Sequence, residues 1–547
     1  MARQRDLIIL YDGKIYVPYE IDQREEILRS LTQVSQWQQT TQSVDIYQIT
    51  TSSLWSAVHQ GWTFTSLQWF LESMSRKKIP TPLQKWVKET MDHVGKVTIE
   101  KRNGQCVLVS RLAHLPRSLD FLTLSSIDKE RGVKVYQIDP DHRFDIKRSL
   151  AHHGYPVTDH YWRQTGQPLS VSLHSHVRLR PYQEESVQRY VKGNERDHQN
   201  GIIVLPCGAG KTIVAIALIA HIQEETLILT PNETSMKQWE RELLAKTTLK
   251  EEDISCYSRN NKRVAPITIT TYQMMTYRSQ EEKQWVHLPL FQERDWGFLI
   301  YDEVHMLPAP LFRATADLQG KKRLGLTATF VREDGKERDL YALLGPKRDD
   351  QPLRNLQQQG WLANPNCYTY TVQFGYQTRR RYVEANKQER FKMASVNPKK
   401  IELLKSLLRV HEGDQVLVIG HYLEQLRYAA EQVDAPLITG QVPIVEREKY
   451  YEDFRGRKVS TLIVSKVANV AVDLPDAEVA IQLSGHYGSR QEEAQRIGRI
   501  LRKKKDDHPA YFYSIVTEGT EEEMAAVKRQ RFMEEQGYTY EWLGWSQ

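Results

Sequence analysis

GIIVLPCGAGKTIVAIALIA, residues Gly201 to Ala220, is the stretch whose reading decides the fold. Ile202 to Leu205 is a short apolar run, mostly β-branched, and predicts a buried parallel strand. Pro206 stops it, and Cys207-Gly208-Ala209-Gly210 is a turn of small residues. Lys211-Thr212 then opens an apolar helix from Ile213 to Ala220. Strand, small-residue loop, Lys-Thr and helix together make a phosphate cradle. Backbone N–H groups and the positive end of the helix dipole face the anion. Lys211 reaches the β- and γ-phosphates, and the Thr212 hydroxyl can ligate Mg²⁺. The usual pattern has a glycine five positions before Gly210, where Leu205 stands here. A bland strand–turn–helix unit therefore competes for this stretch alone, and the motifs that follow decide.

From Val177 onward strands alternate with helices. The Ile203 region, Thr226–Thr230, Ile267–Thr270, Phe298–Tyr301 and Arg323–Thr327 are candidate strands of one parallel sheet. After a basic connector the pattern resumes with Gln415–Ile419, Leu437–Ile438, Ser460–Val464, Val479–Leu483 and Ala510–Val516. The alternation predicts an α/β fold with two nucleotide-fold lobes and a cleft between them.

Upstream the character differs. LIILYDGKIYVPYE (7–20) reads as two short strands joined at Asp12-Gly13. A helix is expected from Gln23 to Trp37. Ser52 or Ser53 caps another through Val58, a third spans Thr65–Ser73, and Pro82 starts a fourth. Strands at Lys96–Glu100 and Cys106–Ser110 flank Asn103-Gly104, a tight-turn signal. The last three helices followed by a hairpin make a winged-helix order, which suits DNA or, equally, a protein-docking module. Residues 115–176 carry several loop signals around a strand at Val133–Ile138 and a helix at Phe144–Ala151, so a small α+β domain fits.

Length and composition set bounds. With 547 residues the chain exceeds one core, and three or four domains are expected. It is 40% hydrophobic and 26% charged, which predicts a soluble globular protein. A net charge of +6 tolerates a polyanionic partner without demanding one. The four cysteines lie far apart with no CxxC pair, which argues for a reducing compartment and against a zinc site. The start, MARQRDLIIL, has too short an apolar run for a signal peptide, and no membrane span is expected. A cytoplasmic location follows.

Several constellations carry chemistry. Phe298–Tyr301 ends in Asp302-Glu303, two adjacent acids at a strand's carboxyl end. Asp302 suits the Mg²⁺ on a triphosphate, and Glu303 suits orientation of the attacking water. Alone the pair would read as a helix cap. A hundred residues beyond a phosphate loop, the catalytic reading wins. Thr327 and Thr329 end another strand with two hydroxyls suited to coupling the lobes, or form an ordinary strand terminus. Arg180-Pro181-Tyr182-Gln183 places an aromatic and an amide where Gln183 could read adenine, or simply begins a helix. QEEAQRIGRILR (491–502) puts Gln495, Arg496, Arg499 and Arg502 about one turn apart, a solvated basic face or a set of arginine fingers for the γ-phosphate. Arg379, Arg380 and Arg381 head a basic cluster with Lys387, Arg390 and Lys392 that could track phosphates or be solvated.

PCGAGKT, DEVH, LGLTAT and QRIGRILR, in that order, resemble a superfamily 2 helicase. LGLTATFVREDG resembles the XPB family specifically, since Arg332-Glu333-Asp334 matches the RED motif that sets it apart. IGHYLEQL, SKVANVAVDLP, SGHYGSRQEEAQ and KRQRFMEEQGYTY also resemble XPB, above all its bacterial members. Ala468-Asn469 departs from the Gly-Asp of eukaryotic members, while Asp473 is retained. The resemblance implies two RecA-like parallel-sheet lobes preceded by small α+β N-terminal domains, one winged-helix-like and one damage-recognition-like. The implied division is 1–114, 115–176, 177–346 (first lobe), 347–395 (connector with a thumb-like region) and 396–547 (second lobe). It further implies ATP and Mg²⁺ as cofactors, DNA (single-stranded, forked or duplex) as partner, 3′→5′ polarity, a role in DNA repair and a protein partner such as a repair nuclease. Arg332, Glu333 and Asp334 are then expected to serve unwinding. Translocation on duplex without strand separation, and a nucleotide-gated DNA-binding scaffold, are the competing functions.

Overall fold

A computed structural model describes residues 7–18, 20–21, 24–40, 44–75, 77–119, 122–128, 132–161, 166–192, 200–206, 208–277, 286–287, 294–307, 322–328, 337–362, 365–465, 477–485, 509–535, 538 and 540–545. The chain forms two compact units that divide between Gln351 and Pro352.

The first unit is built around a seven-stranded parallel sheet. Its order is Ile254–Cys256, Ile267–Thr271, Thr226–Thr230, Phe298–Tyr301, Lys322–Thr327, Gly201–Val204 and Lys347–Asp350. The central strand Phe298–Tyr301 is apolar throughout and wholly buried, as a parallel strand covered on both faces requires. Leu227, Leu299, Tyr301 and Ile202 lie fully buried in one core. Two strands were not expected. Ile254–Cys256 is a three-residue edge. Lys347–Asp350 reads KRDD, an unlikely strand by hydrophobicity, yet Lys347, Arg348 and Asp349 are all buried. Polar partners gather around them: Lys347 Nζ lies 2.7 Å from Asp350, Arg348 Nε donates to Asn200 O at 2.8 Å, and Asp349 meets Arg189 and Ser186. Those partners offset part of the desolvation, which still raises the Asp349 carboxyl above its ordinary value. Gly201 is required here, because a Cβ would stand 2.4 Å from Arg348 Cγ.

Two smaller modules precede this sheet within the same unit. The first has a four-stranded sheet in the order Ile8–Ile9, Lys14–Pro18, Val44–Gln48, Gln36–Thr40, with the helices Arg24–Val34, Thr51–His59, Phe64–Met74 and Thr81–Asp92. Gly13 makes the expected turn at φ 83°. The Gln23–Trp37 helix is shorter than expected, and Gln36 onward turns into strand. The cap of Thr51–His59 is Thr50, whose hydroxyl accepts from Ser53 N, instead of Ser52 or Ser53.

The second module has a five-stranded sheet ordered Thr123–Asp128, Val133–Gln137, Gln105–Ser110, Val97–Arg102, Val157–Asp159. The hairpin turn at Asn103 (φ 49°) and Gly104 (φ 83°) forms as expected. Its strands also pair beyond the hairpin. Val107–Ser110 pairs with Lys134–Gln137, and Val97–Ile99 with Val157–Asp159. Val97, Ile99 and Leu108 need an apolar partner, and Ile146 and Leu150 on helix Arg143–His152 supply it. The hairpin thus belongs with residues beyond 114.

The second unit holds another seven-stranded parallel sheet, ordered Leu437–Ile438, Thr461–Ser465, Val416–Gly420, Val479–Gln482, Tyr511–Thr517, Asn366–Val372, Tyr540–Trp545. Asn366–Val372 lies inside the span expected as connector, with Tyr368 and Tyr370 against Tyr513. Lys400 is wholly buried, its Nζ 2.7 Å from Glu522 and donating to Leu483 O and Ile515 O. That lysine ties the ends of two neighbouring strands.

Candidate active site

The phosphate loop leaves the central strand Gly201–Val204, whose neighbour Thr327 accepts a hydrogen bond from Leu205 N at 3.0 Å. Leu205, at the position where a glycine is usual, is therefore simply the next residue of the strand, fully buried. Gly208 (φ 79°) and Gly210 (φ 87°) take left-handed backbone, which turns amides toward a common concavity. Gly210 caps helix Lys211–Ile222. A Cβ there would stand 2.6 Å from Gln183 Nε2 and 2.9 Å from Ile213 Cγ2. Gln183 is thus packed on the loop, buried, its Oε1 accepting from Arg180 N at 2.9 Å.

At the end of Phe298–Tyr301 the two acids diverge. Asp302 Oδ2 accepts from Trp239 Nε1 at 3.0 Å, and Tyr272 OH donates to Asp302 O at 2.7 Å. Glu303 sits at φ 49°, ψ 53°, left-handed backbone that strains a residue with a Cβ. That turn brings Glu303 Oε1 to 3.2 Å from Lys211 Nζ and Oε2 to 3.4 Å from His305 Nδ1. His305 Nδ1 also lies 2.9 Å from Thr327 Oγ1. Glu303 Oε2 is buried and receives no hydrogen bond from the described residues. One oxygen faces the lysine, and the other faces His305.

Electrostatics separate the pair. Burial raises the Asp302 carboxyl to about 6, and the neighbouring Glu303 charge adds to the effect. Burial pushes Glu303 the same way, but Lys211, His305 and the Ala328 amide outweigh it and hold Glu303 below its usual range. A cation beside Asp302 would reverse the desolvation that raises it, so the donor set fits Mg²⁺.

Of the expected residues, Gln183, Gly210, Lys211, Asp302, Glu303 and Thr327 gather at the carboxyl ends of the first sheet, as ligand sites in such sheets do. Pro206, Gly208, Ala209 and Thr212 belong to the same loop and helix start. Cys207, Thr329, Arg332, Glu333, Asp334, Ala468, Asn469, Asp473, Gln495, Arg496, Arg499 and Arg502 lie outside the described residues. Trp239, Tyr272 and His305 were missed by sequence reasoning. Only His305 carried a signal, as the fourth letter of DEVH.

The basic cluster divides. Arg379 donates to Glu518 O (3.2 Å) and Gly519 O (3.1 Å) and lies over Tyr382. Arg390 donates to Tyr382 O, and Lys392 lies 3.6 Å from Glu424. Arg379 and Arg390 thus bind backbone carbonyls of neighbouring segments, and Arg380 and Arg381 are exposed, as are Arg379 and Lys392.

The ERCC3/RAD25/XPB C-terminal helicase family matches residues 356–546. A DNA 3'-5' helicase XPB of Mycobacterium tuberculosis is 40% identical, over 98% of this chain and 97% of that protein. The chain is a member of the XPB family. Another DNA 3'-5' helicase XPB, of Kineococcus radiotolerans, is 38% identical over 98% of this chain and 95% of that one. An XPB helicase/translocase subunit of general transcription and DNA repair factor IIH from Enterocytozoon bieneusi is 31% identical over 98% and 92%. Residues 176–332 match the res subunit of type III restriction enzymes, and 7–120 a helicase conserved C-terminal domain. The DNA-bound restriction–modification enzyme LlaBIII shares the fold, with TM-score 0.50 at 14% identity over 67% of this chain and 31% of that one. Within the XPB family, then, both seven-stranded sheets are RecA-like lobes.

Proposed function

We infer that this XPB-family chain is an ATP-dependent DNA 3′→5′ helicase that moves along and unwinds DNA, with DNA repair as its setting. The observation that carries the chemistry is Glu303, strained toward Lys211 with its second oxygen buried 3.4 Å from His305 Nδ1. Phosphoryl transfer to water needs positioning and charge neutralisation more than covalent chemistry. The glycine-rich loop and Lys211 bind the triphosphate, and Glu303 orients the attacking water. Thr212 and Asp302 would hold Mg²⁺, which supplies positive charge to the phosphate oxygens. His305 links Glu303 to Thr327, so the state of the site reaches the strand that leads toward Thr329. Arg499 and Arg502 supply charge for the γ-phosphate, with Gln495 beside them. Arg496, Arg380, Arg381 and the Arg332-Glu333-Asp334 segment serve DNA.

Single-stranded, forked or duplex DNA is the partner by chemistry, and a repair nuclease is the kind of protein that would act on its product. A cytoplasmic location accords with four cysteines that lie far apart in the sequence with no CxxC pair. Among the described residues no helix is long and apolar enough to cross a membrane.

Two variants test the division of roles. Lys211→Ala should abolish ATP hydrolysis while DNA binding persists. Glu303→Gln should bind ATP and Mg²⁺ yet stall before hydrolysis, since the swap keeps shape and removes the carboxylate. Collapse of nucleotide affinity in Glu303→Gln would make Glu303 a metal ligand or a fold residue instead.

A further inference from the structure

Away from the nucleotide site, the first N-terminal module and helix Glu337–Leu344 of the lobe enclose a concavity of about 470 Å³. The module contributes the Asp12-Gly13 turn, the end of strand Val44–Gln48 and the starts of helices Thr51–His59 and Thr81–Asp92. Tyr11, 78% exposed, and Trp86, 36% exposed, both line it. Neither ring stacks on another aromatic among the described residues. Folding thus leaves two large rings open on one concave surface, and an occupant would bury area that the chain itself does not.

The polar lining decides the class of that occupant. Its donors are largely turned inward. Gln48 Nε2 donates to Asp12 O (2.7 Å) and Ile49 O (3.1 Å), and Ser52 Oγ donates to Glu337 Oε2 (3.1 Å). Arg338, the one cationic side chain of the lining among the described residues, donates from Nη1 to His152 O at 2.8 Å. The acceptors stay open. Asp12 is exposed, with Lys14 Nζ 3.5 Å away. Glu337 Oε2 also accepts from Gln36 Nε2 at 3.0 Å, but among the described residues no cation pairs with that carboxylate. Two carboxylates against one guanidinium already engaged leave the concavity negative, which repels the phosphates of a nucleic acid.

Aromatic faces beside carboxylates suit a cation. A guanidinium meets both at once, since it is flat enough to stack and forked to match a carboxylate, whereas an ammonium has no plane. We propose that this concavity is a docking site for a partner protein and takes an arginine side chain, stacked on the exposed rings with its charge met by Glu337. The site joins module and lobe, because Tyr11 and Trp86 belong to one and Glu337 to the other. It stands independently of the reading of the nucleotide site.

The probe is the blocked tripeptide acetyl-glycyl-arginyl-glycinamide, titrated calorimetrically into the full chain at low salt, beside its lysine and citrulline counterparts. Citrulline keeps the plane and removes the charge, and lysine does the reverse. The arginine peptide should bind with a Kd at or below about 1 mM, the scale of one well-paired side chain. Each counterpart should bind at least about 5-fold more weakly. Glu337→Gln keeps the shape that Gln36 and Ser52 hold and should weaken binding about 10-fold, the loss expected of a hydrogen bond to a charged group. Trp86→Ala should weaken it about 5-fold through the lost cation–π contact. ATP turnover should change in neither variant. If Glu337→Gln does not fold, Asp12→Asn makes the charge comparison at a turn that Asn-Gly also forms, and weaker binding is again expected. No binding at about 10 mM peptide overturns the proposal. So does equal affinity for the citrulline peptide, or wild-type affinity in both charge-removing and Trp86→Ala variants. Trp86→Ala that loses affinity for single-stranded DNA, while binding the arginine peptide as the wild type does, assigns the concavity to an unpaired base and overturns it too.

Discussion

At the residue scale, the site runs on the contrast between two adjacent carboxylates. Asp302, raised to about 6 chiefly by burial, favours its proton in the folded protein. The stability contribution of that carboxyl is therefore complete at pH values below its ordinary range. It is lost as pH rises through the folded value near 6. Without nucleotide and with Mg²⁺ chelated, Asp302→Asn should melt above the wild type at neutral pH. The gap should close as pH falls toward 4, because the wild-type carboxyl is then protonated. Thermal melts across that range check this, and a gap independent of pH would mean Asp302 is not perturbed. Lys211, Asp302 and Glu303 were legible in the sequence because a strand, a loop and an acid pair have fixed spacing along the chain. Trp239 and Tyr272 were not, since each reaches Asp302 from a different strand–helix unit. Their only sequence signature is that of an ordinary apolar aromatic.

At the element scale, the strands that were legible are the wholly apolar ones, such as Phe298–Tyr301 and Val416–Gly420. Lys347–Asp350 was not legible, because its fitness for the sheet lies in partners such as Arg189 and Asn200, far away in sequence. The N-terminal hairpin shows the converse. Asn103-Gly104 announced the turn, but nothing local tells which helix will cover Val97 and Leu108. The basic helix pair carries a quantitative expectation. Arg379 and Arg390 are spent on backbone carbonyls, which leaves Arg380 and Arg381, likewise exposed, as the pair offered to phosphates on helix Tyr376–Glu384. If both grip a single strand, Arg380→Gln/Arg381→Gln should flatten the slope of log affinity against log salt by about 1.4 units. ATP turnover without DNA should not change. A slope equal to wild type assigns these arginines to solvent. Arg379→Gln, in contrast, should lower the stability of the second unit, with thermal unfolding as the readout.

At the scale of the whole molecule, the order of motifs identified the two lobes, and comparison with XPB helicases over nearly the full chain places it in that family. The division of the first 176 residues was harder to read. The boundary expected near 114 cuts through a five-stranded sheet, because strand pairing across a loop leaves no mark on composition. Both N-terminal modules instead share contacts with the first lobe, Trp55 and Phe144 entering its apolar core. The central claim is that ATP hydrolysis at Lys211 and Glu303 drives strand separation with 3′→5′ polarity. Strand displacement on partial duplexes bearing either a 3′ or a 5′ single-stranded tail, measured beside ATP turnover, tests it most directly. The account predicts ATP-dependent separation of the 3′-tailed duplex, DNA-stimulated turnover, and loss of both in Glu303→Gln. Turnover stimulated by duplex with no strand released from either substrate would contradict it and leave a translocase that does not unwind.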